Sequence, residues 1–240
     1  VRVRLEQMQK DLPDDVFVEV AHDSTRFIRA SIDEVKNTIY IAFALVVIII
    51  FLFLRDWRVT IIPTVAIPIS LIGVFFIMYL AGFSINVLSM LAIVLAVGLV
   101  VDDAIVVVEN IYQKIERGMT PRDAAIEGSQ EIFFAVVSTT ITLVAVFFPI
   151  VFLEGMTGRL FREFSIVVAG AVIISSFVAL TFTPMLASKI LVKREKKSWF
   201  MNKTEPFFEG MNNIYEKWLT YFVAHKMLVI PIFIVTILLI

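Results

Sequence analysis

The chain has 240 residues, of which 59% are hydrophobic and 18% charged, with a formal net charge of −1 and no cysteine. These values exclude a disulfide framework and a thiolate metal site. The absence of a basic patch with interleaved aromatics argues against a nucleic-acid partner. His22 and His225 lie too far apart in sequence to suggest a metal centre.

The apolar excess is concentrated. No charged residue occurs between Lys36 and Arg55, between Arg58 and Asp102, between Glu131 and Glu154, or between Glu163 and Lys189. Apolar runs of about 18 or more residues read as membrane-spanning helices. The fold class expected is an all-α polytopic membrane protein, a transmembrane helix bundle.

Residues 1–34 are polar in character. LPDD is a turn signal, and VFVEV alternates like a strand. A segment this short cannot bury a stable core, so it reads as the tail of a larger water-exposed domain. Spans are expected at about 35–54, 59–81, 86–110, 132–153 and 164–190. RDWR at 55–58 is a tight connection, and Ser84 or Asn86 can cap the third helix. Pro68 is expected to kink the second span. Residues 192–225 form a linker. Within it, Phe207, Phe208, Met211, Ile214, Tyr215, Trp218, Leu219 and Phe222 recur at helical spacing. This predicts an amphipathic helix over about 204–222, starting at Thr204-Glu205-Pro206 and lying on the membrane surface. Residues 226–240 begin a further span that is too short to cross, so both ends read as those of a fragment.

Orientation follows from Lys and Arg. The connections at 81–86 and 153–163 hold only Arg159 and Arg162, whereas those at 55–58, 112–131 and 189–226 are richly basic. The positive-inside rule puts the basic set in the cytoplasm and residues 1–34 outside.

The third span carries the candidate site. In LVVDDAIVVVEN (99–110), Asp102 and Asp103 sit in an otherwise apolar stretch. From Asp103 to the first loop charges is about 10 Å by helix rise. An ionised carboxylate at such depth costs on the order of 3 kcal/mol, so the pair is expected to face the bundle interior, a water path or a partner. Adjacent helical residues diverge by about 100° yet stay close enough to couple. Two such acids in a low dielectric resist joint ionisation, which suits groups that load and release protons. The interiors of the first, second, fourth and fifth spans contain no Lys, Arg or His to neutralise them. Only hydroxyls are available: Ser138, Thr139, Thr140 and Thr142 in the fourth span, and Ser175, Ser176, Thr181 and Thr183 in the fifth. The countercharge is therefore expected elsewhere in the protein, or the pair is largely protonated. Gly98, one turn before Asp102, allows close approach of a helix or of water. Glu109 and Asn110 read as boundary or capping residues.

GLVVDDAIVVVEN at 98–110 resembles the fourth transmembrane helix of the resistance-nodulation-division (RND) efflux transporters. FLRDWRVTIIPTVAIPISLIG (53–73), GFSINVLSMLAIVLAVG (82–98), FFPIVFLEGMTGRLFREFS (147–165) and LTFTPMLASKIL (180–191) resemble the drug- and amphiphile-exporting branch. The resemblance spans essentially the whole chain. It implies that the five spans are the family's second to sixth transmembrane helices, in the first half of an inner-membrane permease subunit. Residues 1–34 would be a small remnant of an α/β periplasmic porter domain, and 226–240 the start of the seventh helix. Asp102 and Asp103 would be the proton-relay pair, facing a lysine on a tenth helix that lies outside this chain. No cofactor is implied; protons are the coupling ion. The implied partners are amphiphilic substrates, membrane lipids, two further copies in a homotrimer, a periplasmic adaptor and an outer-membrane channel. The implied activity is secondary active transport rather than catalysis. A non-pump relative in the same superfamily, a protein-translocation accessory or a sterol-handling protein, is the alternative.

Overall fold

A computed structural model describes residues 24–192 and 199–225, together with the single positions 13 and 237. Six α-helices follow in order: α1 Ser24–Leu54, α2 Trp57–Leu80, α3 Val87–Glu116, α4 Pro121–Phe147, α5 Gly155–Ile190 and α6 Trp199–Ala224. A short 3-10 turn, Phe148–Phe152, joins α4 to α5. The described residues contain no strand. The first five helices are each long and apolar enough to cross a membrane. In a lipid solvent every backbone polar group must find its partner within the chain, and a helix satisfies this locally.

The connections are built by specific residues. Arg55 takes a left-handed backbone (φ 52°), turning the chain sharply between α1 and α2. Asp56 caps α2 by accepting from the Arg58 amide at 2.8 Å. Asn86 starts α3 in a capping box: its side chain accepts from the Ser89 amide, and Ser89 Oγ accepts from the Asn86 amide. Each such cap satisfies amides left open at a helix start, at about 1 kcal/mol apiece. Thr120 caps α4, with Pro121 at the first helical position, where its missing N–H is harmless.

α3 is the centre of the bundle. It packs most extensively on α5 and also touches α1, α2 and α4. Of the most apolar stretch of each helix, 50% is buried in α3 and in α5, against 6% in α1 and 11% in α4. α1 and α4 therefore form the outside of this bundle. Between apolar helices in lipid, burial carries little transfer gain, and close packing of small residues matters instead. α2 and α5 show this reciprocally. A Cβ on Gly73 would lie 2.8 Å from two carbons of Ile174, and one on Gly170 would lie 2.8 Å from Ile77 Cδ1. Each glycine accepts the other helix's isoleucine.

The helices are longer than the apolar runs that announce them. α1 begins at Ser24 rather than near 35, α4 at Pro121 rather than 132, and α5 at Gly155 rather than 164. Composition marks the stretch matched to hydrocarbon, whereas the hydrogen-bonded backbone continues beyond it through polar residues. α6 also differs in its start. It begins at Trp199 and carries Pro206 within it, so Thr204-Glu205-Pro206 is not its first turn. Proline removes only one backbone bond there, which the longer helix tolerates. The side chains of Phe207, Ile214, Tyr215 and Trp218 on α6 are exposed. Of the porter-domain remnant expected at 1–34, residues 24–34 form the start of α1, and the rest lie, but for Pro13, outside the described residues, as does the span expected at 226–240 apart from Ile237.

Candidate functional site: an aspartate groove between two helices

Asp102 and Asp103 lie in the second half of α3, the helix that packs on all four other spans. Helix geometry turns them to different surroundings: Asp102 is exposed and Asp103 half-buried. Both line a groove of about 510 Å³ between α3 and α4, with Leu99 and Val106 on either side of them along α3. Ser138, Thr139 and Thr142 line the opposite wall on α4. No other ionisable side chain lines it.

Among the described residues, neither carboxylate has a hydrogen bond or an ion pair. The hydroxyls read as possible partners are engaged elsewhere. Thr139 and Thr140 Oγ1 donate to the Val136 carbonyl at 2.8 and 2.7 Å, and Thr142 Oγ1 donates to the Ser138 carbonyl at 2.8 Å. These are intrahelical bonds, the usual resort of a hydroxyl on an apolar helix. On α5, Ser176 and Thr181 bond backward along their own helix in the same way, and the buried Thr183 hydroxyl has no partner among the described residues. Ser175 crosses between helices, donating to the Val100 carbonyl at 2.8 Å in a buried contact two residues before the pair. The Ser138 hydroxyl has no bond among the described residues and stands in the groove wall.

Gly98 lies on an open face of α3. A Cβ built there would meet no atom within 4 Å. Leu91, Leu95 and Val106 are each more than 40% exposed and continue that face, with Asp102 between them and Glu109 beyond. α3, with α5 the most enclosed of the five spans, thus leaves one stripe uncovered, and that stripe carries an acid.

A second polar cluster closes the end of the groove nearest the α3–α4 connection. Asn110 Nδ2 donates to the Gly128 carbonyl at 2.8 Å and to Glu131 Oε2 at 3.2 Å. Lys114 Nζ bridges Glu127 at 2.9 Å and Glu131 at 3.0 Å, with its side chain only 12% exposed. Asn110 reads from sequence as a boundary residue, yet it ties α3 to α4. The available signal is the spacing Glu127–Glu131, one helical turn apart, opposite a lone lysine. Glu109 accepts a bond from Gln113 at 3.3 Å and is exposed, as a boundary charge should be. At the other end of the bundle, Asn86 Nδ2 donates to Glu163 Oε2 at 2.6 Å, tying the start of α3 to α5. No group of His, Asp or Glu that could hold a metal ion occurs among the described residues.

Comparison with known proteins agrees with the motif reading. The family model described as the AcrB/AcrD/AcrF family matches residues 1–240. The chain is 45% identical over 214 residues to Multidrug resistance protein MdtC of Pectobacterium atrosepticum, covering 89% of this chain and 20% of that protein. It is 48% identical over 191 residues to the MdtC of Escherichia coli O139:H28, and 49% identical over 191 residues to that of Klebsiella pneumoniae subsp. pneumoniae. Each of these two alignments covers 80% of this chain and 19% of the relative. The chain thus spans about one fifth of the length of these relatives. With an acid-bearing central helix in a bundle of five apolar helices, and a family match along its whole length, the chain belongs to the AcrB/AcrD/AcrF family of resistance-nodulation-division proteins.

Proposed function

We propose that the chain is part of a proton-driven multidrug and amphiphile efflux permease of the bacterial inner membrane, a substrate/proton antiporter, and that Asp102 and Asp103 carry its coupling protons. The observation that carries this reading is the pair itself. Two adjacent acids sit on the central helix of an apolar bundle, in a groove without a countercharge among the described residues. Acids at such depth are costly and are retained where a proton or ion must pass. The relatives' name, Multidrug resistance protein, supports export of diverse compounds.

The charge on the pair changes as protons arrive from outside and leave to the cytoplasm. Protonation removes the attraction to a cation on the second half of the permease, so α3 and its partner helix separate. Deprotonation restores it. A proton crossing 100 mV releases about 2.3 kcal/mol, and each pH unit of gradient adds about 1.4 kcal/mol. One or two protons per cycle thus drive a change of several kcal/mol. In this reading the basic connections after α1 and α3 face the cytoplasm, and residues 1–34 belong to the periplasmic porter region. The working unit is a homotrimer joined to a periplasmic adaptor and an outer-membrane channel. The test uses the full-length protein in efflux-deficient cells, comparing ethidium accumulation for wild type, Asp102→Asn and Asp103→Asn at matched membrane expression. Loss of export in either variant is expected; export at the wild-type level in both overturns the assignment.

A further inference from the structure

We propose that Asn110 is a positioning residue for the aspartate pair, acting by fixing the distance between α3 and α4 where the groove begins. The inference rests on the reading of Asp102 and Asp103 as proton carriers. It starts from a point of close approach between the two helices. A Cβ on Gly128 would lie 3.0 Å from Ile111 Cγ1 and 3.2 and 3.3 Å from the Ile111 backbone Cα and N. Backbone therefore packs on backbone at this point. Asn110, the neighbour of Ile111, donates to the Gly128 carbonyl at 2.8 Å and to Glu131 at 3.2 Å. Lys114 closes the same seam through Glu127 and Glu131.

Asn110 lies seven residues beyond Asp103, and Gly128 seven residues before Ala135, the first α4 residue of the groove. Seven residues are about two turns, roughly 10 Å, along each helix. The groove is therefore the gap that opens as the two helices leave this contact, and the Asn110 amide holds its vertex. A small displacement at the vertex alters how much water reaches the acids. Among the described residues, no ionisable side chain of α1, α2, α4 or α5 lines the groove to mask that effect; the nearest charge on α4 is Glu131, held by Lys114 and Asn110. On α3 itself the nearest other titratable group is Glu109, exposed and engaged with Gln113.

Two variants displace the vertex by opposite chemistry. Asn110→Ala deletes the polar tie and leaves the packing. Gly128→Ala keeps every polar group and inserts a methyl against the Ile111 backbone. The readout is the protonated-carboxyl infrared band of the purified full-length protein in lipid that disappears in Asp103→Asn, titrated with pH. This measurement needs no knowledge of the transported compound. Spin labels at Leu99→Cys and Leu143→Cys, one on each groove wall, report the spacing directly.

Each variant is expected to lengthen or broaden the label distance. Each should also move the band's midpoint toward acid by roughly half a pH unit or more, because water favours the ionised form. If one variant fails to fold, the other still decides. An unchanged midpoint in the folded variants overturns the positioning role while the titrating band leaves the proton-carrier reading intact. If Asp103→Asn removes no titrating band, the proton-carrier reading falls, and this inference with it.

Discussion

Gly73 and Gly170 look alike in sequence, each a glycine within an apolar helix, yet alanine is expected to act differently at the two. At Gly170 the new methyl meets Ile77 Cδ1 at 2.8 Å and Cγ2 at 3.3 Å, so the main obstruction is the mobile end of a side chain. Pushing that end about 30° off its rotamer costs about 0.5–1.5 kcal/mol. Replacing Gly by Ala inside a helix returns up to about 1 kcal/mol. The net change is close to zero. At Gly73 the methyl meets both Cδ1 and Cγ2 of Ile174 at 2.8 Å. Cγ2 is attached at the branch point, so one rotation cannot clear both atoms without an unfavourable χ1. Overpacking of this kind costs about 1–3 kcal/mol, leaving a net loss of up to about 2 kcal/mol after a helix gain of about 1 kcal/mol. Ile174→Ala removes both obstructing atoms, so the double variant Gly73→Ala/Ile174→Ala should show a favourable coupling of about 1 kcal/mol or more. The assay is resistance of the full-length protein in detergent to heating or to denaturant, read as the folded fraction. Equal stability of Gly73→Ala and Gly170→Ala, or no coupling with Ile174→Ala, would refute the claim that close approach of α2 and α5 is what these glycines provide.

Three further perturbations act on named contacts. Asn86→Ala removes the α3 cap and the bond to Glu163; a loss of about 1–2 kcal/mol is expected, and Asn86→Asp should restore only the cap's share, because its carboxylate accepts from the Ser89 amide but cannot donate to Glu163. Ser175→Ala leaves the Val100 carbonyl with its helical bond alone. Cross-helix bonds in membranes are worth about 0.6 kcal/mol on average, so a drop in stability well above 2 kcal/mol would show that the hydroxyl does more than tie the helices. Arg55→Gly relieves a left-handed residue, a gain of about 1 kcal/mol. It also removes the guanidinium lying 4.4 Å from the Phe208 ring centroid. Stability of the bundle should hold while limited proteolysis within α6 becomes faster.

What the sequence makes legible follows from the solvent. Hydrocarbon permits only long apolar helices or closed barrels, so four charge-free intervals were enough to announce an all-α bundle of five spans. Where each helix ends is a different question, decided by caps and by packing outside the apolar stretch. The N-terminal part of α4, with Ala124, Ala125 and Gly128 buried against α3, has no hydropathy signature at all. The aspartates stand out because ionised groups at such depth are expensive. Their surroundings do not, because a hydroxyl count says nothing about whether Thr139 and Thr142 turn to the groove or back to their own carbonyls. Asn110 was obscured for the opposite reason. Its partners lie 18 and 21 residues away, across a helical hairpin that closes where Gly128 meets Ile111.

α1 runs unbroken for 31 residues, about 46 Å by helix rise, against a hydrocarbon thickness of about 30 Å. A stiff rod longer than its slot is a mechanical lever. Anchored through Val35, Ile39, Ala42, Phe43, Val46 and Ile50 on the buried faces of the bundle, it has no joint at which bending could dissipate. A tilt of about 5° pivoting at Leu54 carries the Ser24 tip through about 4 Å, the product of that angle and the rod length. Motions of a few degrees inside the bilayer thus become displacements of atomic size beyond it, without any change in the helix itself.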